Sequence, residues 1–164
     1  MTTTYKHLEI EDYVGEPTDS ELKALEEKLE AKLPDVFVDF LKVANGGYLE
    51  YFVDIAIKQD KTEALCFCEL YGTRDSIKGG APIFSEEIDS ERKYKNIPAA
   101  YLPFARDGGS SILYLDLAAS GAGRVIAFIE GLPNWTGLNQ SHIIVEVAKS
   151  FEEFANKLYL DPEV

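Results

Sequence analysis

The stretch YLPFARDGGSSILYLDLAASGAGRVIAFIE, residues 101–130, decides how this chain folds. Its three extended pieces, YLPFAR (101–106), SILYLDL (111–117) and GRVIAFIE (123–130), are rich in the β-branched and aromatic side chains that suit a pleated, buried surface. Asp107, Gly108 and Gly109 fall in the first break and AASGAG (118–123) in the second. Short polar, glycine-rich connections of this kind return the chain beside itself, so the stretch predicts an antiparallel meander. HIIVEVA (142–148) adds a further short strand.

Working outward toward the N-terminus, the period changes from two to that of a helix. Thr18-Asp19-Ser20-Glu21 has the pattern of a capping box, and Leu22, Leu25, Leu29 and Leu33 follow as an apolar stripe opposite Lys23, Glu26, Glu27 and Glu30. Pro34 suits the first turn of a second helix, whose core face would be Phe37, Phe40, Leu41 and Ala44. Asn45-Gly46-Gly47 ends it; glycine there supplies a left-handed cap without steric cost, and this reading is preferred to a phosphate cradle.

YLEYFVDIAI (48–57) and ALCFCELYG (64–72) are two more strand-like runs separated by KQDKTE (58–63), which predicts a hairpin. The Gly- and Pro-containing connection TRDSIKGGAP (73–82) leads to SEEIDSERKYK (85–95), with acids in its first turn and bases in its last, as the helix dipole favours. Its apolar content is Ile88 with flanking Ile83, Phe84 and Tyr94, so this helix is expected on the surface as an adjustable, partner-facing segment. Near the C-terminus Ser150 and Glu153 suggest a second capping box ahead of Phe151, Phe154, Ala155 and Leu158. Helices near both ends flanking clustered strands predict an α+β fold, one domain over residues 1–164, with a mostly antiparallel central sheet packed against helices.

The bulk numbers narrow the function. With 164 residues and 46% hydrophobic side chains, the chain can build a core that offsets the entropy of ordering it. It carries 29 acidic against 16 basic residues, a formal charge of -13, which repels nucleic-acid phosphates and anionic membranes and speeds encounter with a basic partner. No apolar run reaches membrane-spanning length, and MTTTYKHLEIED (1–12) turns acidic where a signal peptide needs a basic start and an apolar stretch. The two cysteines, Cys66 and Cys68, alternate as neighbours on one strand face, a poor geometry for a disulfide. Reduced thiols point to a cytoplasmic location.

No pattern of catalytic residues stands out. Arg106-Asp107-Gly108-Gly109-Ser110-Ser111 combines charge, hydroxyls and glycines, yet it matches neither a dinucleotide nor a Walker loop, and no GxSxG elbow occurs; turn chemistry accounts for these residue types. His7 and His142, the only histidines, lie far apart in the chain and outside any metal-ligand spacing with cysteine. Asp54 and Glu69 would face each other if the two runs paired as a simple hairpin, but among 29 acids such proximity arises by chance. Trp135, in the loop GLPNWTGLN (131–139), is read equally as a cover for the core edge and as an interface anchor. No catalytic residue, cofactor or metal is expected.

Four blocks together resemble the SUKH superfamily, which includes fungal regulators of the Smi and Knr type and many bacterial immunity proteins. They are TDSELKALEEKLEAKLPDVFVDFLKVANGG (18–47), AYLPFARDGGSSILYLDL (100–117), GRVIAFIEG (123–131) and VAKSFEEFANKLYL (147–160). Ser110 stands where a third glycine is common, and Ile129 where a polar residue is frequent. The resemblance implies a curved sheet packed against helices, no cofactor, and in bacteria an immunity protein that neutralises a cognate toxin, often a nuclease, by stoichiometric binding. A regulatory adaptor and a small-ligand-binding domain are the alternatives. The matched motifs are scaffold positions, so the expected partner surface is taken from charge and loop position: Asp54, Glu69, Asp75, Asp107 and Trp135, with Ser85 to Lys95 as a flank.

Overall fold

A computed structural model of the chain describes residues 2–58, 61–75, 82–94, 97–107, 111–118, 123–130 and 142–160. The elements run β1 (Thr3–Tyr5), β2 (Leu8–Ile10), α1 (Asp19–Leu29), α2 (Asp35–Ala44), β3 (Phe52–Lys58), β4 (Lys61–Cys66), β5 (Glu69–Leu70), α3 (Phe84–Tyr94), β6 (Tyr101–Arg106), β7 (Ile112–Asp116), β8 (Val125–Glu130), β9 (His142–Ala148) and α4 (Phe151–Lys157). This is the α+β class expected from the sequence.

The meander is present as the antiparallel sheet β5-β6-β7-β8-β9. Its central strands are covered on both faces, which is why ILYL (112–115) and VIAFI (125–129) are apolar without interruption. One face contributes Leu113, Leu115, Val125, Ala127 and Ile129 to the main core, with α2 and α4. There Phe151 meets Phe40 at 4.9 Å, Phe37 at 5.2 Å and Phe104 at 5.7 Å between ring centroids. The other face carries a second cluster of Ile97, Ile112, Tyr114, Ile126 and Phe128. Pro103 has no amide hydrogen for the ladder, and the register of β6 on β7 shifts between Pro103 and Ala105.

Two hairpins stand beside this sheet. β3 and β4 pair as expected, with Phe52 opposite Cys66 and Asp54 opposite Ala64. The run ALCFCELYG, however, is not one strand: it leaves the hairpin at Cys66 and joins the five-stranded sheet at Glu69. Cys66 and Cys68 therefore do not share a strand, and Glu69 faces Arg106, not Asp54. The second hairpin, β1–β2, was not foreseen, because strands of three residues carry too few side chains for a period to register.

α1 starts as predicted: Thr18 Oγ1 accepts from the Glu21 amide at 3.1 Å, and Glu21 Oε1 accepts from the Thr18 amide at 2.8 Å. Glu21 also meets Arg74 at 3.0 Å, while Arg74 donates to the carbonyls of Val14 and Glu16 at 2.8 and 2.7 Å. The cap of α4 differs slightly, since Ser150 Oγ accepts from Glu153 but Glu153 returns its bond to the Lys149 amide, one residue earlier. α3 buries more than expected: Phe84 and Ile88 enter the main core, and Glu91, 5% exposed, accepts from the Tyr114 hydroxyl. The Tyr114 hydroxyl gives this buried side chain a hydrogen-bond partner in place of water. The expected adjustable flank is thus anchored; its last residue, Lys95, lies outside the described residues.

Asn45, Gly46 and Gly47 hold these parts together. Asn45, wholly buried, donates from Nδ2 to Gly15 O at 3.0 Å and Thr73 Oγ1 at 2.8 Å, and accepts from the Thr73 amide at 2.9 Å. Gly46 is left-handed at φ 64. A side chain on Gly47 would sit 2.7 Å from Ile10 Cγ2 and 2.9 Å from Glu11 O, and one on Gly72 would sit 2.9 Å from Gly46 Cα.

Gly72→Ala forces backbone against backbone and is expected to cost about 2 kcal/mol or more in urea unfolding. Hydrogen bonding from Arg74 holds the Glu21 carboxyl down at about 2, against an ordinary 4.5. Because the folded value is the lower one, this contribution is complete above the unfolded value and is lost as pH falls through the folded one. Glu21→Gln should therefore cost about 1 kcal/mol near neutrality, solvent screening included, and the gap from the parent should close in acid when stability is followed against pH.

Candidate functional site

An open cleft of about 440 Å³ lies where the β1–β2 hairpin, the segment 48–52, β4 and the C-terminal residues meet. Glu9, Glu11, Tyr48, Glu50, Tyr51, Phe52, Cys66 and Leu160 line it. Each is placed there by a local rule. In β2 Leu8 and Ile10 point into the core, so Glu9, and Glu11 just beyond, point out. Glu11 and Tyr48 exchange backbone hydrogen bonds at 2.9 and 2.7 Å, which lays the hairpin against the segment 48–52.

The Tyr51 hydroxyl fastens the same seam from inside, accepting from the Glu9 amide at 3.0 Å and donating to His7 O at 3.2 Å. The Tyr48 hydroxyl donates to Glu50 Oε1 at 3.1 Å and so orients that carboxylate. Phe52 exchanges backbone hydrogen bonds with Tyr159 at 2.7 and 3.0 Å, bringing Leu160, 65% exposed, to the rim. The wall thus alternates carboxylates and aromatic rings, and none of these described lining residues is basic.

Burial raises the Tyr48 phenol well above its ordinary value, with the hydrogen-bonded Glu50 next in weight. Burial also pushes the Cys66 thiol up to about 11, helped by the neighbouring Cys68 and Glu50. Cys66 is accordingly a protonated, weakly nucleophilic packing group.

None of the described residues of the sequence-predicted surface lines this cleft, but two of them adjoin residues that do. Asp54 lies on the outer face of β3, two positions along from Phe52, and accepts from the Tyr159 hydroxyl. Glu69 is the bridge partner of Tyr48, in the row Glu11, Tyr48, Glu69, and its carboxylate is paired with Arg106. Asp75, exposed after Arg74, and Asp107, at the end of β6, do not line it. Trp135 lies outside the described residues.

The cleft itself was missed because it joins four short segments distant in sequence. The available signal was the alternation in HLEIE, which exposes Glu9 and Glu11.

The other candidates are occupied by structural roles. Asp107 donates its amide to Ser111 O at 3.2 Å, closing the β6–β7 turn; Gly108, Gly109 and Ser110 lie outside the described residues. The Ser111 hydroxyl accepts from the Glu130 amide at 3.1 Å, and Arg106 is paired with Glu69 and Glu87. His7 Nε2 contacts Leu158 O at 2.7 Å, which makes that nitrogen the donor. The amides of Gly46 and Gly47 are bonded to Tyr71 O and Ala44 O, so the glycine pair offers no cradle for a phosphate. Among the described residues no group of three or more His, Cys, Asp or Glu is arranged to hold a metal ion, and no helix is long and apolar enough to cross a membrane.

A family model described as the SMI1 / KNR4 family (SUKH-1) matches residues 16–157. No curated protein matches the chain.

The raised Cys66 value gives a direct check. In a Cys68→Ser background, where burial and Glu50 still raise the thiol, alkylation near neutral pH should be slower than that of free cysteine and should climb only at distinctly more alkaline pH, followed by mass spectrometry.

Proposed function

The chain belongs to the SMI1 / KNR4 family (SUKH-1), and from that footing we propose that it is an immunity protein, silencing a basic toxin by stoichiometric binding through the acidic cleft face. The observation that carries this reading is the cleft wall: Glu9, Glu11 and Glu50 set among Tyr48, Tyr51 and Phe52, with Asp54 and Glu69 next to residues of that wall. Aromatic side chains supply contact area at low entropic cost, and a one-signed field steers an oppositely charged partner into register. The excess of 29 acids over 16 bases extends that field beyond the cleft. For a nuclease toxin, carboxylates in this arrangement would occupy the basic groove that otherwise holds substrate phosphates.

The chemistry of the candidate residues supports binding over turnover. Arg106, Ser111 and His7 are engaged in ion pairs and backbone contacts that build the fold, and burial keeps the Cys66 thiol protonated. Binding needs only shape and charge, both of which the cleft face supplies.

Co-expression with the toxin domain encoded next to this gene should restore growth of a susceptible host. Reversing charge at Glu9, Glu11 and Glu50 together should slow association about tenfold or more and flatten its dependence on salt, in stopped-flow mixing. Growth that the chain fails to restore with any adjacent toxin candidate overturns the proposal.

A further inference from the structure

We infer that the cleft receives the side chain of one arginine from the partner, its guanidinium held by Glu9, Glu11 and Glu50 and its flat face laid against the exposed parts of Tyr48 and Phe52. This deepens the proposed function and rests on the cleft being the partner-facing surface.

Four observations point to that occupant. The volume of about 440 Å³ lies within the range of sites that enclose a small group. The three carboxylates approach from two separate pieces of chain, β2 with its extension and the segment 48–52, so a cation between them is met from more than one side. Glu50 is already oriented by the Tyr48 hydroxyl at 3.1 Å, so less freedom remains to be lost when it accepts a donor. Leu160, exposed at the rim, and half-buried Phe52 offer apolar surface for the methylene stem of an inserted side chain.

The choice of arginine over lysine follows from the same wall. A guanidinium is planar, stacks on aromatic rings, forks onto carboxylates through paired N–H donors and sheds water more readily than an ammonium. A lysine ammonium would find the charge but could not use the rings and the carboxylates together. Anions and phosphorylated ligands are disfavoured by the three acids, and a bare metal ion because among the described residues no three His, Cys, Asp or Glu are arranged to hold one, whereas the wider guanidinium can be shared between them.

The test needs no toxin. The isolated protein is titrated at low salt with the peptides Gly-Arg-Gly, Gly-Lys-Gly and Gly-citrulline-Gly while amide shifts are followed by NMR. The arginine peptide should saturate with shifts centred on Glu9, Glu11 and residues 48–52. The lysine peptide should bind several-fold more weakly, and the uncharged citrulline peptide at least about tenfold more weakly. Glu11→Gln with Glu50→Gln should abolish saturation while leaving the melting temperature close to the parent's, since Glu11 and Glu50 are exposed. Saturating arginine peptide should also retard alkylation of Cys66, which lines the same cleft.

Shifts that never saturate, or that are equal for arginine and lysine and spread over the acidic surface, overturn the inference. Arginine binding without rescue from any toxin would sink the immunity reading and leave this site standing. Rescue without arginine binding would do the reverse.

Discussion

The fold depends on one crossing of backbones. At Asn45-Gly46-Gly47 the end of α2 passes so close to the neighbouring chain that Gly72 has no room for a β-carbon against Gly46, and Gly47 has none against Ile10 and Glu11, while the Asn45 side chain ties the crossing to Thr73 and to the chain around Gly15. From this point the five-stranded sheet is reached through Gly46 N to Tyr71 O and Leu70 N to Gly47 O. The N-terminal segment is reached through Val14 N to Asn45 O. A buried, fully bonded amide at such a junction fixes which three pieces meet and in what register. The helix cap inferred from the sequence is real, yet its glycines serve the crossing as much as the cap.

What was legible in the sequence was what local chemistry dictates. The Thr18 to Glu21 box, the stripe Leu22, Leu25 and Leu29, and the meander from residue 101 to 130 each carry their own signal within a few residues, and each is found, although α1 ends at Leu29 and Leu33 is buried beyond it. The failures are non-local. Nothing within ALCFCELYG marks the point at which the chain changes sheets, because Phe67 is as apolar inside the junction as it would be inside a strand. The burial of Glu91 depends on Tyr114, a residue that only the folded sheet brings beneath α3. The cleft is missed for the same reason, being assembled from β2, the segment 48–52, β4 and Leu160, none of which carries a motif of its own.

Acidity is distributed with a purpose in this chain. Glu21 is consumed by a helix start and Arg74, Asp116 by Arg124 and the Ala118 amide across the β7–β8 turn, and Glu91 by a tyrosine. Carboxylates of this class act as internal fasteners. Glu9, Glu11 and Glu50 face a concave surface instead, and their main-chain neighbours, not their carboxylates, do the structural work. Asp54 and Glu69 do not line that surface but lie next to Phe52 and Tyr48, which do, whereas Asp75 and Asp107 lie elsewhere.

The seam between Glu11 and Tyr48 has a mechanical side. Five strands share continuous ladders, whereas among the described residues the N-terminal hairpin meets the segment 48–52 through one pair of backbone hydrogen bonds, at Glu11 and Tyr48, with the Tyr51 hydroxyl behind it, and β3 meets Tyr159 through another pair. Stiffness therefore drops abruptly along the row that runs out of the sheet. A body that wedges into this recess works against a few stitches instead of a woven edge, so compliance is concentrated at the walls while the five-stranded sheet behind them keeps its shape.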